Sequence, residues 1–328
     1  MTHHKEKPFA AVLTALFTDE ELPIHLLYRL SDMPAEDFAQ FKRQWPTVGE
    51  DRRVALARHM ADIVEDNYLV DFSPLFAHLF TDSSAAVRTA ALDGMWDSED
   101  PELVRPIIHM LQSDSDLSVR VSAARALAHY ILLAEWGQID SHLAEPVVDA
   151  LLAEHERPGV ALELQRATLE AVSPAPHPRV AELIDEAYEE GNDDMQLSAI
   201  FAMGNTADER WLPVLTAELD SPSADFRAEA ARACGMIGDP AMIDELEPLI
   251  GDEEMEVGIA AVYAIGQIGG DRAVELLSAL LEDPDFEEYY DAIEEALDEI
   301  DWMGDEFDFL TPSDDDDDDS ILNDLRLN

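Results

Sequence analysis

The chain is poor in cysteine and in positive charge. Its 328 residues include one cysteine, Cys234, and 20 basic against 73 acidic side chains, which gives a formal net charge of -53. One thiol cannot form a disulfide within the chain and argues against a cysteine-based metal site, so we expect a reducing, cytoplasmic location. Nucleic acids and anionic membranes attract Lys and Arg, so we expect neither as a partner.

Long apolar runs are also missing from the sequence. The residues from Met1 to Phe9 lack the apolar stretch of a secretory signal. The most apolar later segment, 123–133, is interrupted by Arg125 and His129, whereas a membrane-spanning helix needs about 18 or more apolar residues. We therefore expect no membrane segment.

Internal repetition is what the sequence has in abundance. Blocks of similar sequence begin with Val-Arg or a related pair and continue with small apolar residues. Their first residues are Val87, Val119, Leu164, Met195, Phe226, Val257 and Tyr289. Successive starts are 31 or 32 residues apart except for one interval of 45. A fixed period of this length indicates a repeat architecture. The longer interval predicts a lengthened helix that ends near Gly137.

Each block has the apolar spacing of an α-helix. Counted from the first residue of a block as zero, positions 0, 4, 7, 8 and 11 are mostly small or apolar and fall on one helical face. In the block that begins at Val257 they are Val257, Ala261, Ala264, Ile265 and Ile268. Another helix precedes each block, and an acidic or hydroxyl residue followed by proline predicts a helix start. Such pairs are Ser73-Pro74, Asp100-Pro101, Ser221-Pro222, Asp239-Pro240 and Asp283-Pro284. Glycines are predicted to end the second helices at Gly235, Gly238, Gly266, Gly269 and Gly270. Since nothing alternates with the period of a strand, we predict an all-α solenoid of stacked hairpins.

The repeat pattern, Val-Arg-x-x-Ala-Ala-x-Ala-Leu with a following Gly-Asp-Pro, resembles HEAT repeats, particularly the short bacterial type named after phycobilisome lyases. The resemblance spans Phe72 to Trp302 and implies an α-solenoid of about seven helical hairpins. The arginine of the pattern is present as Arg88, Arg120 and Arg227 and is replaced in the other blocks. We therefore expect only part of the Asp/Arg ladder that such repeats form.

Both ends of the chain depart from the repeat. Residues 1–70 contain three predicted amphipathic helices, around Leu22–Leu30, Phe38–Phe41 and Val54–Val64. They are predicted to cap the first repeat of the solenoid, which covers 71–302. Residues 303–328 include six consecutive aspartates, Asp314 to Asp319, and are predicted to form a disordered acidic tail. Basic residues concentrate in the cap, either as a solvated surface with ion pairs or as a docking patch for an acidic partner or the tail. They are Lys42, Arg43, Arg52, Arg53 and Arg58.

The sequence contains no recognisable catalytic constellation. Some helical-repeat hydroxylases bind iron through paired His-Glu dipeptides, whereas this chain has a single one, His155-Glu156. Cys234 occupies a repeat position that is normally buried, where a thiol is inert. We expect no catalytic residue, no cofactor and no metal, and we predict that the protein is not an enzyme.

One surface stands out as a candidate interface. Positions two and six of each block lie opposite its core face, and two blocks that flank an arginine place large apolar residues there. We predict that these residues form a peptide-binding strip, because aromatic and arginine side chains anchor many interfaces: Leu197, Phe201, Arg232, Ile259 and Tyr263. Packing between repeats is the alternative interpretation.

The predicted function is a non-catalytic, monomeric scaffold or adaptor for a protein or peptide partner of basic or mixed charge. The alternative is a lyase-like or other accessory enzyme subunit that holds a protein substrate on the solenoid. The acidity has a second explanation, because only three lysines accompany 17 arginines. A strongly acidic, lysine-poor surface is also compatible with adaptation to high salt.

Overall fold

Helices make up all the regular structure of the described chain. The computed structural model describes residues 7–67 and 69–310, and the side chains of Asp66 and 303–310 lie outside the described set. Within these ranges there are seventeen α-helices, several short 3-10 helices and no strand. The predicted fold class, an all-α solenoid of helical hairpins, is confirmed.

Three α-helices precede the first hairpin. They are α1 (Phe9–Thr18), α2 (Ala35–Gln44) and α3 (Glu50–Asp66). The predicted segment around Leu22 to Leu30 is the 3-10 helix Ile24–Leu30, and another 3-10 turn, Trp45–Thr47, follows α2. The sequence pattern does not predict α1, because this segment has no charged residue to mark the helical period.

Seven helical hairpins follow in the described residues, and each repeat block lies on the second helix of its hairpin. The hairpins are α4/α5 (Ser73–Leu79, Ala85–Asp93), α6/α7 (Val104–Ser113, Leu117–Glu135), α8/α9 (Glu145–His155, Leu162–Val172), α10/α11 (Pro178–Glu190, Asp193–Asn205), α12/α13 (Leu212–Glu218, Ala224–Ile237), α14/α15 (Ile243–Leu246, Met255–Ile268) and α16/α17 (Gly270–Leu281, Tyr290–Leu310). The remaining 3-10 segments are Pro101–Leu103, Ser141–Leu143, Glu209–Trp211, Pro240–Met242, Glu247–Gly251 and Pro284–Tyr289.

Aspartate-proline pairs begin 3-10 turns that lead into helices. The Asp100 carboxylate accepts a hydrogen bond from the Glu102 backbone N–H at 2.9 Å, and Asp239 caps its own turn in the same way. These bonds satisfy N–H groups that the start of a helix leaves unpaired. Ser221-Pro222 and Asp283-Pro284 lie before the second helices α13 and α17. The pair therefore marks a helix start, but it does not identify the first helix of a hairpin.

The chain divides into two compact units, Met1–Ala202 and Met203–Asn328. In the first unit α3 packs on α5, α5 on α7 and α7 on α9, and in the second α13 packs on α15 and α15 on α17. The first residue of most blocks lies in the core, as the buried Val87, Val119 and Val257 illustrate. Within each unit the second helices therefore stack on one another, as the repeat pattern predicts.

The 45-residue interval contains the lengthened helix that the sequence predicts. Helix α7 has 19 residues and ends before Gly137, which has a φ of +70°. Among the described residues α7 is the one helix long and apolar enough to cross a membrane, and half of its apolar window is buried inside the protein. Arg120 and Arg125 also lie within it. Packing in the solenoid core therefore accounts for its apolar character.

Arginine–carboxylate pairs link successive repeats. Arg88 Nε and Nη2 donate to the two carboxylate oxygens of Asp114 at 2.8 and 2.7 Å. In the next block Arg120 binds Glu154, so a longer carboxylate side chain replaces aspartate where the repeat is interrupted. The expected ladder of arginine–carboxylate pairs is therefore present in the two blocks that begin with Val-Arg.

The ladder starts before the first hairpin. On α3, Arg53 Nη2 donates to Asp82 at 3.1 Å, and Arg53 Nη1 donates to the carbonyl of Val48 at 2.9 Å. Helix α3 therefore joins the stack by the same contacts as the repeats, although its sequence lies outside their pattern. The predicted boundaries, 1–70, 71–302 and 303–328, stay predictions; α17 continues to Leu310, and residues 311–328 lie outside the described set.

Glycines bring second helices into close contact in the second unit. The glycine–alanine pairs are Gly204–Ala233, Gly235–Ala264 and Gly266–Ala296, in which a Cβ added to the glycine would lie 2.6, 2.7 and 2.8 Å from the alanine. The prediction that Gly235 and Gly266 end helices is wrong, because both lie inside α13 and α15. Gly238 and Gly269 end these helices, with φ values of +77° and +66°.

Candidate partner-binding surface

The predicted strip residues lie on three second helices and keep part of their side chains in solvent. Leu197 and Phe201 are on α11 in the first unit, whereas Arg232 on α13 and Ile259 and Tyr263 on α15 belong to the second. All five side chains are half-buried. The structure therefore describes the strip in two parts, each within its own unit.

In the second unit the strip combines apolar and charged groups. Arg232 pairs with Glu229 at 3.2 Å on its own helix and with Glu256 on α15 at 3.0 Å. The Arg232 side chain is 42% exposed, so these ion pairs add little to stability. Tyr263 Oη donates to Glu295 on α17. The side chains around Ile259 therefore form a mixed surface in which each polar anchor already contacts a carboxylate.

Negative charge extends beyond these pairs along α17. Asp291, Glu294, Asp298 and Glu299 are exposed on this helix. The hydrogen bond to Glu295, followed by partial burial, raises the pKa of the Tyr263 phenol. The phenol therefore stays a hydrogen-bond donor at neutral pH. The combined charge gives this side of the second unit a negative field that attracts basic groups.

In the first unit a polar chain of contacts runs beside Leu197. Arg166 Nε donates to Ser198 Oγ at 2.8 Å, and that hydroxyl donates to Glu170. Arg166 also lies 3.7 Å from Asp194 at the start of α11. Arg166 and Glu170 occupy positions two and six of their own block, so polar groups of α9 border the apolar residues of α11.

Three of the five basic residues predicted to cluster near the N-terminus make contacts within the fold. Arg52 Nε donates to the carbonyl of Leu16 at 2.6 Å, and the Arg53 guanidinium binds Asp82. Lys42 lies over the Phe38 ring at 4.3 Å from its centroid. Arg52 thus joins α3 to α1 and Arg53 joins α3 to the loop before α5, whereas Lys42 contacts a ring of its own helix. A role of the cluster in binding an acidic partner stays a prediction.

His155 and Cys234, the residues weighed for chemistry, lie in the core. His155 Nδ1 is 2.9 Å from the carbonyl of Gln165, and burial lowers the pKa of this imidazole. Glu156 instead pairs with Arg179 at 2.8 Å. Burial raises the pKa of the Cys234 thiol to about 12. Among the residues that the structure describes, no three His, Cys, Asp or Glu side chains come together as metal ligands.

A groove that the sequence does not predict lies where the repeat is interrupted. It has a volume of about 390 Å³ and runs between the end of α7, the start of α8 and the loop 175–177. The 45-residue interval marks its place along the chain. However, the sequence pattern does not reveal that the loop after α9 faces the added turns of α7.

A comparison with known protein families shows which family the chain belongs to. HEAT repeats match residues 72–167, 180–253 and 212–298, which together exceed half of the sequence. The chain belongs to the HEAT-repeat family. The resemblance predicted from the Val-Arg blocks is thereby confirmed. No curated protein matches this HEAT-repeat protein.

Several solved structures are similar to the chain. Escherichia coli YibA is 16% identical, with 92% of this chain and 99% of that chain covered and a TM-score of 0.43. Human deoxyhypusine hydroxylase, in complex with glycerol, is 18% identical, with 90% and 96% covered and a TM-score of 0.34. An engineered protein is 18% identical, with 89% and 88% covered and a TM-score of 0.39. At these sequence identities and TM-scores, the structural similarities do not indicate a function for this chain.

Proposed function

We propose that this HEAT-repeat protein is a non-catalytic, monomeric cytoplasmic scaffold or adaptor that binds a protein partner of basic or mixed charge. The observation that carries the proposal is the surface formed by Arg232, Ile259 and Tyr263, whose side chains are half exposed on adjacent second helices. Aromatic and arginine side chains are frequent anchors of interfaces. Fully buried side chains at these positions would have favoured packing alone.

Charge supports the same proposal and indicates the chemistry of the partner. Glu229, Glu256 and Glu295 contact the polar anchors of this surface, and the chain carries a net charge of -53. Lys or Arg side chains of a partner would be drawn to these carboxylates, chiefly by faster association at low salt. Apolar contacts with Ile259 and Tyr263 would persist at high salt.

Affinity capture from an extract of the source organism tests the proposal. The full-length protein is compared with the double variant Phe201→Ala/Tyr263→Ala and with the matched control Phe286→Ala/Tyr290→Ala, which removes one Phe and one Tyr, also half-buried, from outside the strip. We expect a discrete partner to remain bound to wild type and control at high salt and to be lost from the strip variant.

Two results of the capture experiment would contradict this proposal. Unchanged capture by Phe201→Ala/Tyr263→Ala, together with a large fall in its unfolding free energy, would assign these residues to packing between repeats. Capture by wild type of only a salt-sensitive mixture of basic proteins would leave no specific partner. A pigment or metal bound to protein purified from its native source would favour the accessory-enzyme alternative.

A further inference from the structure

The part of α7 that borders the groove is well packed. Tyr130, Ile131 and Leu133 in the added turns of the helix are each only 1% exposed, and Tyr130 Oη donates to the carbonyl of Asp100 at 3.0 Å. After the helix, the backbone N–H of Gln138 donates to the carbonyl of Leu133 at 2.8 Å. The interruption of the repeat is therefore an ordered element that presents a fixed surface.

The floor of the groove is apolar and accessible. Its apolar lining consists of Ile131, Ala134, Ala144, Val148, Ala175 and Pro176. Ala134, Ala144 and Val148 are half-buried, which leaves part of each side chain open to solvent. Trp136, the next residue after the lining residue Glu135, is 63% exposed. Tryptophan is frequent among the residues that carry most of the binding energy at interfaces.

Carboxylates border this apolar floor. Glu135, Glu145 and Asp149 line the groove and are exposed. No lysine or arginine in the described part of the chain forms a salt bridge with any of the three, whereas Glu145 lies 3.1 Å from the His142 imidazole. The border therefore carries negative charge that a partner can neutralise, and the charge complementarity favours a basic occupant.

We propose that this groove binds a short segment of a protein partner that carries neighbouring apolar side chains flanked by Lys or Arg. The proposal rests on the proposed scaffold function and adds a second binding site, on the first unit, with its own chemistry. A groove of about 390 Å³ has room for roughly two leucine-sized side chains, which an amphipathic segment presents at positions i and i+4. The long apolar stems of Lys and Arg would lie along the groove while their charges reach Glu135 and Asp149.

A peptide selection tests the site without assuming a partner. A phage-displayed library of random dodecapeptides is selected on the full-length wild-type protein and, in parallel, on the groove-filling variant Ala134→Leu/Ala144→Leu. Ala128→Leu is the matched control, because Ala128 is a half-buried alanine of the same helix outside the groove lining. We expect enriched peptides with paired apolar residues and flanking Lys or Arg on wild type and control, and their loss on the groove-filling variant.

A second pair of variants keeps the test valid if the filled groove prevents folding. Glu135→Gln/Asp149→Asn removes two border charges, and Glu20→Gln/Glu21→Gln removes two exposed charges outside the groove. The selected consensus peptide, labelled with fluorescein, is titrated against each by fluorescence anisotropy at low salt. We expect binding about fivefold weaker for the border variant than for the charge-matched control.

Three outcomes would overturn the groove site: no enrichment on wild type, enriched peptides without Lys or Arg, or equal binding by the filled and unfilled proteins. Failure of the groove can be told apart from failure of the scaffold function. The strip variant Phe201→Ala/Tyr263→Ala should bind the consensus peptide like wild type. A partner captured from extract equally well by Ala134→Leu/Ala144→Leu would support the scaffold while contradicting the groove.

Discussion

Arg227 binds Asp252 through two parallel hydrogen bonds, from Nε to Oδ2 at 2.8 Å and from Nη2 to Oδ1 at 2.7 Å. The same carboxylate accepts the backbone N–H of Glu254 at 2.9 Å. One aspartate therefore closes the loop of its own hairpin and holds the arginine of the preceding repeat. The Arg227 hydrogen bonds hold the pKa of Asp252 below its ordinary value despite some desolvation.

The first prediction concerns this pair. Asp252→Asn keeps the shape of the side chain but removes its charge, and it leaves the Arg227 guanidinium, 12% exposed, without an ionic partner. We expect the free energy of unfolding to fall by about 1.5–3 kcal/mol at neutral pH, as measured by urea denaturation. Asp244→Asn, whose partner Arg272 lies at the surface, should change it by less than about 0.5 kcal/mol. Equal effects of the two substitutions would show that the ladder is not stabilising.

Acid should reproduce the loss of this pair in the wild-type protein. The folded-state pKa of Asp252 is lowered, so its contribution is present above the unfolded-state value of about 3.9 and disappears as pH falls through the folded-state value. Wild type should therefore approach Asp252→Asn in stability below about pH 4. A stability gap that stays constant with acidification would contradict this assignment.

The second prediction concerns the close approach of α13 and α15. Gly235→Ala adds a Cβ that would lie 2.7 Å from Ala264 Cα, a backbone atom that cannot rotate away. We expect a loss of about 1–3 kcal/mol in thermal or urea unfolding, because the helices must separate. Gly251→Ala is the control, since nothing lies within 4 Å of its added Cβ. An equally stable Gly235→Ala protein would mean that the helices can shift apart freely.

The third prediction concerns the buried histidine. Burial lowers the pKa of His155, so between the folded and unfolded values the unfolded chain binds the extra proton and stability rises with pH. His155→Asn keeps an N–H donor near the Gln165 carbonyl and does not titrate. As pH falls below about 6.5, wild type should lose stability relative to this variant by up to about 1.4 kcal/mol per pH unit. If the stabilities of His155→Asn and wild type fall in parallel as pH is lowered, the prediction is wrong. The control is His25→Asn, a substitution at an exposed site.

The fourth prediction concerns the acidic surface. Carboxylates that lie within about 8 Å of each other still repel at physiological ionic strength. If salt adaptation explains the 73 acidic side chains, the melting temperature should rise steeply from dilute buffer to about 1 M KCl, because the Debye length then falls to about 3 Å. Differential scanning calorimetry at several KCl concentrations measures this response. A nearly flat curve would favour partner attraction over adaptation to salt.

The repeats could be predicted because their spacing reflects local geometry. Val87, Val119 and Val257 recur in step with the helices that bury them. Arg53 shows where the pattern fails: in the sequence it precedes Val54, the reverse of Val-Arg, yet its guanidinium reaches Asp82 as Arg88 reaches Asp114. Because Arg53 precedes the valine, the sequence pattern does not predict its contact with Asp82, which depends on where α3 lies.

The candidate surfaces could be predicted only in part. Helical spacing places Ile259 and Tyr263 on one face of α15, but their exposure depends on the next helix, from which Glu295 reaches the phenol of Tyr263. The groove depends on a loop far along the chain, since Pro176 lines it together with Ala134. Contacts between distant segments of this kind leave no periodic trace in the sequence.

The long helix of the second hairpin also has a consequence for folding. Chains of similar hairpins are prone to dock against the wrong neighbour. Helix α7 has 19 residues, whereas α5 and α9 have 9 and 11, and its added turns bring Tyr130 to the carbonyl of Asp100. Both groups belong to the second hairpin, so this hydrogen bond ties the added turns of α7 to the residues that lead into α6. The break in periodicity thus gives the second hairpin a length and an internal contact that the hairpins on either side do not share.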